Sequence, residues 1–257
     1  MPHATLICMA TRARPSGRLA WQLAEVTDTV TETPRVRTLV LDVPDWPGHR
    51  AGQHVDVRLT AEDGYQAERS YSIASAPDEP PAVTVERLED GEVSPYLVDE
   101  VVPGDRFEVR GPIGGYFVWD AYSASEPLFL VAGGSGVVPL MSMLRHRAAT
   151  GSTVPTRLLY SSRTLADVIY RQELEQLQGV GDGLEVLHTL TREQPPGWTG
   201  HTGRVNRELL QEVAFGPEEN PSVYVCGPTS FVESVSGTLV EMSYEPRCIR
   251  TERFGGA

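Results

Sequence analysis

The hydrophobic rhythm of this chain changes once, and that change limits its fold more than any other feature. From about residue 19 to 110, apolar residues recur at every second position: Leu39, Leu41 and Val43, then Val55, Val57 and Leu59, then Val83 and Val85, then Phe107 and Val109. A period of two belongs to strands that bury one face. Turn chemistry separates these runs, in the proline- and glycine-bearing stretch 44–52, in Glu62-Asp63-Gly64, in the prolines of 77–81 and in Pro103-Gly104-Asp105. Short strands at this spacing predict an antiparallel barrel or sandwich. One brief helix is expected within them, with Ser94 as N-cap, Pro95 at its first position and residues 96–101 as its body.

After a small polar linker at 121–126 the chain alternates strand with helix. Strands are expected at 127–131, 156–160, 184–190, 222–226 and 247–251, and helices at 138–149, 165–177, 205–213 and 231–242. This alternation implies a parallel sheet covered on both faces, which binds ligands beyond the carboxyl ends of its strands. The expected division is a loose leader at 1–17, a barrel domain at 18–122 and an α/β domain at 123–257, with a cleft between the last two. The leader carries Arg12 and Arg14 but no apolar run after them, so it does not read as a secretory signal.

Composition narrows the chemistry. All 22 basic residues are arginine, and against 35 acidic residues they leave a net charge of −13. The absence of lysine excludes a Walker lysine, a pyridoxal Schiff base and a lysine general base. The acidic balance argues against nucleic acid or an anionic membrane as partner. No apolar stretch approaches the ~20 residues needed to span a bilayer. Cys8, Cys226 and Cys248 lie far apart, so they make neither a zinc site nor the four-thiolate cage of an iron–sulfur cluster within this chain. Their sparse, odd count fits a reducing cytoplasm. His3, His49, His54, His146, His188 and His201 show no metal-binding spacing; all are read as structural or exposed, and no metal is expected.

Four segments carry chemistry. Arg69-Ser70-Tyr71-Ser72 sets a fixed cation, two hydroxyls and an aromatic face on one strand. Gly91-Glu92-Val93-Ser94 opens the short helix, where free backbone N–H groups can hold an anion. Residues 128–139 form a buried strand, a glycine turn (Gly133-Gly134-Ser135-Gly136) and a helix start, which is phosphate-cradling geometry without a lysine; Pro139 stands where a dinucleotide fingerprint has its third glycine. Cys226-Gly227-Pro228 ends an apolar strand, where a lone cysteine reads as a small buried hydrophobe.

Taken in order with Gly111-Pro112-Ile113-Gly114-Gly115-Tyr116-Phe117 and the ending Arg250-Thr251-Glu252-Arg253-Phe254, these segments resemble the ferredoxin–NADP reductase superfamily over nearly the whole chain. The resemblance implies an N-terminal antiparallel Greek-key β-barrel that binds FAD, followed by a parallel-sheet α/β domain that binds a nicotinamide nucleotide. It implies that Arg69 pairs with flavin phosphate, with Ser70 in the same cofactor-binding set. Tyr71 packs against the ring and ribityl chain, and Ser72 hydrogen-bonds flavin N5. Val85 and Arg87 line the flavin edge. Gly91, Val93 and Ser94 hold a pyrophosphate, which favours FAD over FMN. Gly134, Ser135 and Gly136 match the nicotinamide-nucleotide loop, with serine where threonine is common, and Gly227 and Pro228 belong to the same nucleotide site. Ser72, Cys226 and Glu252 form the reacting triad, which positions and polarises rather than attacks. Phe254 covers the flavin face, although Gly255, Gly256 and Ala257 follow it here.

Arg163, after Ser162, and Arg192 both sit at carboxyl ends of expected strands, where an adenosine ribose would lie. Arginine's fork suits a 2′-phosphate, and no acid stands at 161–163 to accept a ribose 2′-hydroxyl. This favours NADPH, with NADH the alternative donor. The implied activity is that of a cytoplasmic, monomeric FAD-dependent reductase that passes electrons singly to a ferredoxin or another redox protein. A charge of −13 would repel an acidic ferredoxin unless Arg12, Arg14, Arg18, Arg35 and Arg37 form a local basic face. Two other readings stay open: a flavin reductase that releases reduced flavin, and a non-catalytic electron-transfer subunit. A methyltransferase reading of the glycine loop leaves the barrel half unexplained.

Overall fold

Residues 19–255 are described in the computed structural model of the chain. The leader, with Cys8, Arg12 and Arg14, lies outside them, as do Arg18 and the last two residues. The first half forms six antiparallel strands: β1 (Gln22–Thr33), β2 (Val36–Asp42), β3 (His54–Thr60), β4 (Gln66–Ser72), β5 (Ala82–Glu86) and β6 (Arg106–Ile113). They pair in the order β4-β3-β6-β1-β2-β5. A bridge between Ile73 and Val83 joins the two end strands and closes the sheet into a barrel. The expected alternation fills its interior, since Leu39, Leu41, Val55, Val57, Val83, Val85, Phe107 and Val109 share one buried cluster. β1 is the strand the alternation does not announce. Of its twelve residues only Ala24, Val26 and Thr33 are buried, and it is held by pairing with β2 on one side and β6 on the other.

The expected short helix is a single turn, Tyr96–Glu100, with no side-chain cap. Ser94 does not cap it. Its hydroxyl instead accepts from the Leu88 backbone N–H at 3.1 Å, so this serine closes the preceding loop.

The second half holds a six-stranded sheet in the order β10-β9-β8-β7-β11-β12, with every pairing parallel. Its strands are β7 (Leu128–Gly133), β8 (Thr156–Ser162), β9 (Leu184–Leu190), β10 (His201–Thr202), β11 (Ser222–Pro228) and β12 (Ile249–Phe254). The helices are α1 (Val137–Ala149), α2 (Arg171–Gly179), α3 (Arg207–Val213) and α4 (Thr229–Glu241). β7 is buried at all six positions, as a central parallel strand requires. The helix expected at 165–177 is split. A turn at Leu165–Asp167 ends, Tyr170 takes a left-handed backbone conformation (φ 59°, ψ 24°), and only then does α2 begin. The last strand starts at Ile249 rather than 247, because Pro246–Cys248 forms a turn.

The two halves share a core. Val36, Ala51, Ala74, Phe117 and Trp119 from the barrel side pack with α1, Tyr170 and Leu174 on one face of the parallel sheet. The other face is covered by α3 and α4. Polar ties cross the same seam: Ser142 Oγ donates to Ser75 O at 2.6 Å, and Tyr224 OH to Val118 O at 2.7 Å. The cleft therefore lies between two bodies fixed against each other.

Candidate active site

The cleft at this seam has a volume of about 890 Å³, within the range of ligand sites. Its barrel wall begins with β4, whose Arg69, Ser70, Tyr71 and Ser72 all border the cavity. Arg69 and Ser70 are held in place by protein partners. Arg69 donates to Glu92 and to Glu68 O, each at 2.7 Å. Ser70 Oγ donates to Asp56 at 2.6 Å, and Arg110 holds the same carboxylate. Partial burial raises the Asp56 pKa, but the Ser70 and Arg110 hydrogen bonds and the arginine charge outweigh it and leave the carboxyl below its usual range. Burial pushes the Tyr71 phenol up to about 12, so it stays a protonated donor.

Strand β5 presents Thr84 and Glu86 to the cavity, followed by Leu88. Strand alternation puts the side chains of Val85 and Arg87 the other way: Val85 is 1% exposed in the barrel core, and Arg87 pairs with Asp99 at 2.7 Å. The expected flavin-edge side chains are thus one position out of step with the wall. Gly91, Val93 and Ser94 do border the cavity, as expected, with Glu92 among them. A Cβ on Gly91 would stand 2.7 Å from Ser94 Oγ, so a side chain there would push the hydroxyl that accepts from Leu88 N–H.

The opposite wall is largely backbone. Gly134 and Ser135 border the cavity, with open space beside Gly134, whose φ of +56° is left-handed. Gly136 does not border it. Its Cβ would lie 2.2 Å from the Cys226 carbonyl oxygen, so this glycine lets the loop pack directly on β11. Gly227 likewise makes room for the ring of Phe231, which reaches the cavity beside Pro228. Ser162 and Arg163 stand at the end of β8, on the wall. Arg192 is off it and meets Arg163 only through a backbone N–H to the Arg163 carbonyl at 2.9 Å. Arg204 takes the expected place of Arg192 on the wall. Neither Arg163 nor Arg204 forms an ion pair among the described residues. The sequence signal for Arg204 was its position just past Gly203 and the short edge strand β10.

Cys226 and Glu252 face each other across the β11–β12 ladder. Cys226 is 2% exposed; burial first, and then the Glu252 charge, hold its thiol well above the ordinary value. Burial raises Glu252 to about 7. His54, read from sequence as structural or exposed, sits with Nδ1 3.8 Å from the Glu252 carboxylate and is the register partner of Ser72 on β3 and β4. Burial lowers the His54 pKa, with the Asp56 charge opposing it, and raises that of Glu252, so burial disfavours the charged form of both groups. Ser72, His54, Glu252 and Cys226 thus form a row across the lobe junction. Its Ser72 end is open to the cavity, together with Phe254.

Two buried atoms in this region, Ser162 Oγ and Glu252 Oε2, have no hydrogen-bond partner in the protein. Buried polar atoms of this kind are rare unless a ligand or water completes them; Ser162 borders the cleft, where a polar cofactor could complete it, while Glu252 lies behind the wall. Among the described residues no group of three or more His, Cys, Asp or Glu side chains could hold a metal ion. The basic face expected from Arg35 and Arg37 is not free on both counts. Arg37 donates to Val98 O, Val101 O and Thr29 Oγ1, and so is consumed within the barrel.

Comparison with known proteins gives matches in the same two halves. The oxidoreductase FAD-binding domain matches residues 23–118, and the oxidoreductase NAD-binding domain matches residues 130–237. The chain is 37% identical over 211 residues to ferredoxin–NADP reductase B of Sorangium cellulosum, covering 79% of this chain and 84% of that protein. It is 32% identical over 239 residues to the glycine betaine monooxygenase reductase subunit of Pseudomonas aeruginosa, covering 91% of this chain but only 64% of that subunit. In structure it matches the flavohaem-like FAD/NAD-binding domain of the Vibrio cholerae nitric oxide dioxygenase with a TM-score of 0.81 at 24% identity, over 91% of this chain and 99% of that one. The paired domains, the identity to a reductase matched along most of its length and the common two-lobe fold place the chain in the ferredoxin–NADP reductase superfamily.

Proposed function

We propose that this protein is an FAD-dependent reductase that takes hydride from NADPH and passes electrons one at a time to a ferredoxin or a related redox protein. The observation that carries the reading is the row Ser72–His54–Glu252–Cys226, which runs from the barrel to the parallel sheet and opens at Ser72 onto the cleft. When bound, FAD and the nicotinamide supply the hydride transfer from C4 to N5 and the later single-electron steps. The protein's part is to hold and orient.

Arg69 and the loop 91–94 take the phosphates of FAD, with Glu92 yielding Arg69 to them. Tyr71, half-buried and protonated, packs along the ring, and Ser72 donates to N5. Glu252 and His54 keep a proton within reach of Ser72. Cys226, buried behind the cleft wall, backs the nicotinamide site as a neutral, close-packed group, since burial opposes the thiolate that nucleophilic chemistry requires. Arg163 and Arg204 provide two forks for a 2′-phosphate, which favours NADPH. Phe254, 36% exposed at the mouth, covers the flavin face.

The relatives support the choice of acceptor: one is named a ferredoxin–NADP reductase and another the reductase subunit of a monooxygenase. The reading includes a monomer working in the cytoplasm, with its two domains dividing near residue 122. Gel filtration and steady-state assay test it together. The protein should keep a yellow flavin through the column and oxidise NADPH in preference to NADH with a ferredoxin as acceptor. Colourless protein that reduces added free flavin would favour the flavin reductase reading instead.

A further inference from the structure

We infer that Tyr170 is a positioning residue that fixes the angle between the lobes and thereby the stacking of nicotinamide on flavin; the inference rests on the reductase reading above. Among the described residues, four that are not glycine have positive φ: Asp45, Tyr170, Asn220 and Ser243. Three are small polar residues that occur readily in the left-handed region. A bulky aromatic there is an outlier, and such strain persists only where surrounding structure holds it.

What the strained turn achieves is delivery of the phenol across the seam. Tyr170 is 3% exposed, and its OH donates to Thr84 Oγ1 on β5 of the barrel. Thr84 Oγ1 in turn contacts Thr38 Oγ1 at 2.7 Å on β2, and Thr38 Oγ1 lies 2.7 Å from Glu32 Oε1 on β1. A single buried chain of hydrogen bonds therefore joins the start of α2 to three barrel strands. Beside it, Arg145 of α1 grips Glu173 of α2 with two bonds of 2.8 and 2.7 Å, donates to Ala74 O at 2.8 Å, and sets its guanidinium 5.0 Å from the Tyr170 ring centre.

The chain also touches the cleft. Thr84 on the barrel side and Ile169, next to Tyr170, both border the cavity, although Tyr170 itself does not. A phenylalanine would fill the same space and bury the same ring, so packing alone does not call for the hydroxyl. A buried chain with directional bonds specifies one relative placement of the two bodies, where apolar contact would tolerate several. Hydride transfer is sensitive to such placement, because a shift of about 1 Å at the reacting atoms can cost about 100-fold in rate.

The experiment compares wild type, Tyr170→Phe, Thr84→Val and the double variant, each loaded with FAD. Three quantities are read: the long-wavelength difference absorbance when NADP+ stacks on the oxidised flavin, the NADPH dissociation constant, and the rate of flavin reduction at saturating NADPH. Tyr170→Phe should lose most of the stacking absorbance and slow reduction about tenfold, with nucleotide affinity changed by less than about twofold. The double variant should be no slower than the slower single one, because both changes cut the same chain. Thr84→Val carries the test from the barrel side should Tyr170→Phe fold poorly. Variants equal to wild type in absorbance and rate overturn the inference, as does a slowing matched by an equal loss of affinity. Wild type that holds FAD but is not reduced by NADPH or NADH removes the reductase reading, and the inference with it. Wild type that is reduced normally, with variants that match it, removes only the role of Tyr170.

Discussion

The two walls of the cleft are built on different principles. On the barrel wall, Arg69 and Ser70 already have partners, Arg69 with Glu92 and Ser70 with Asp56, which Arg110 also holds. On the α/β wall, the backbone of Gly134 lies open, Ser162 Oγ is buried without a partner, and Arg163 and Arg204 carry no ion pair among the described residues. A wall whose groups are pre-arranged by the protein suits a cofactor that stays. A wall that leaves charge and hydrogen-bonding capacity unspent suits a nucleotide that must arrive, bind and leave in each turnover.

This contrast can be broken at several points. Ser72 is the proposed donor to flavin N5, and on that proposal Ser72→Ala should slow flavin reduction about 100-fold while leaving FAD retention within about twofold, as removal of one well-placed donor does elsewhere. Unchanged reduction in stopped flow would remove Ser72 from the reacting centre. On the other wall, Arg163→Ala and Arg204→Ala should each raise the NADPH dissociation constant about 10- to 100-fold, the worth of a charge-assisted hydrogen bond, and change NADH by less than about threefold. Equal losses for both nucleotides would show that these cations do not read the 2′-phosphate.

Glu252 tests the junction between the walls. Burial raises its pKa from 4.5 to about 7 in the folded protein, so it is the ionised carboxylate that folding disfavours. The penalty is absent below pH 4.5, grows as pH rises towards 7, and is complete above that. Glu252→Gln should therefore melt roughly 2–6 °C above wild type at pH 8 and match it near pH 4.5. A difference independent of pH would contradict the buried-carboxyl account. The smallest effect is expected at Glu92, whose pair with Arg69 is about half exposed on both sides. Glu92→Gln should alter melting by less than about 2 °C and tighten FAD binding no more than about threefold.

How much of this was legible in the sequence follows the same division. Where one strand face meets the core, alternation marked the barrel strands and their buried residues, as at Leu39, Leu41, Val55 and Val57. β1 escaped because only Ala24, Val26 and Thr33 of its twelve residues are buried, too few to leave a sustained hydrophobic alternation. The glycine loop and the cysteine strand were readable, because close backbone approach demands small residues at fixed positions. Three features were not. Val85 and Arg87 are expected along the flavin edge, but alternation turns their side chains from the cavity and gives it those of Thr84 and Glu86. His54 shows its neighbour only once β3 is registered on β4 and β12 docks across the seam. The break at Tyr170 follows from a partner on the barrel, far away in sequence, and local helix propensity says nothing of it.

The central claim is that the seam brings a nicotinamide from one lobe onto a flavin held by the other. Anaerobic stopped-flow mixing of the purified, FAD-loaded protein with NADPH tests it most directly, with Ser72→Ala run alongside. The account predicts rapid bleaching of the visible flavin band in wild type and slow bleaching in an equally loaded Ser72→Ala protein. A flavin band that neither NADPH nor NADH changes in the loaded wild-type protein would contradict it.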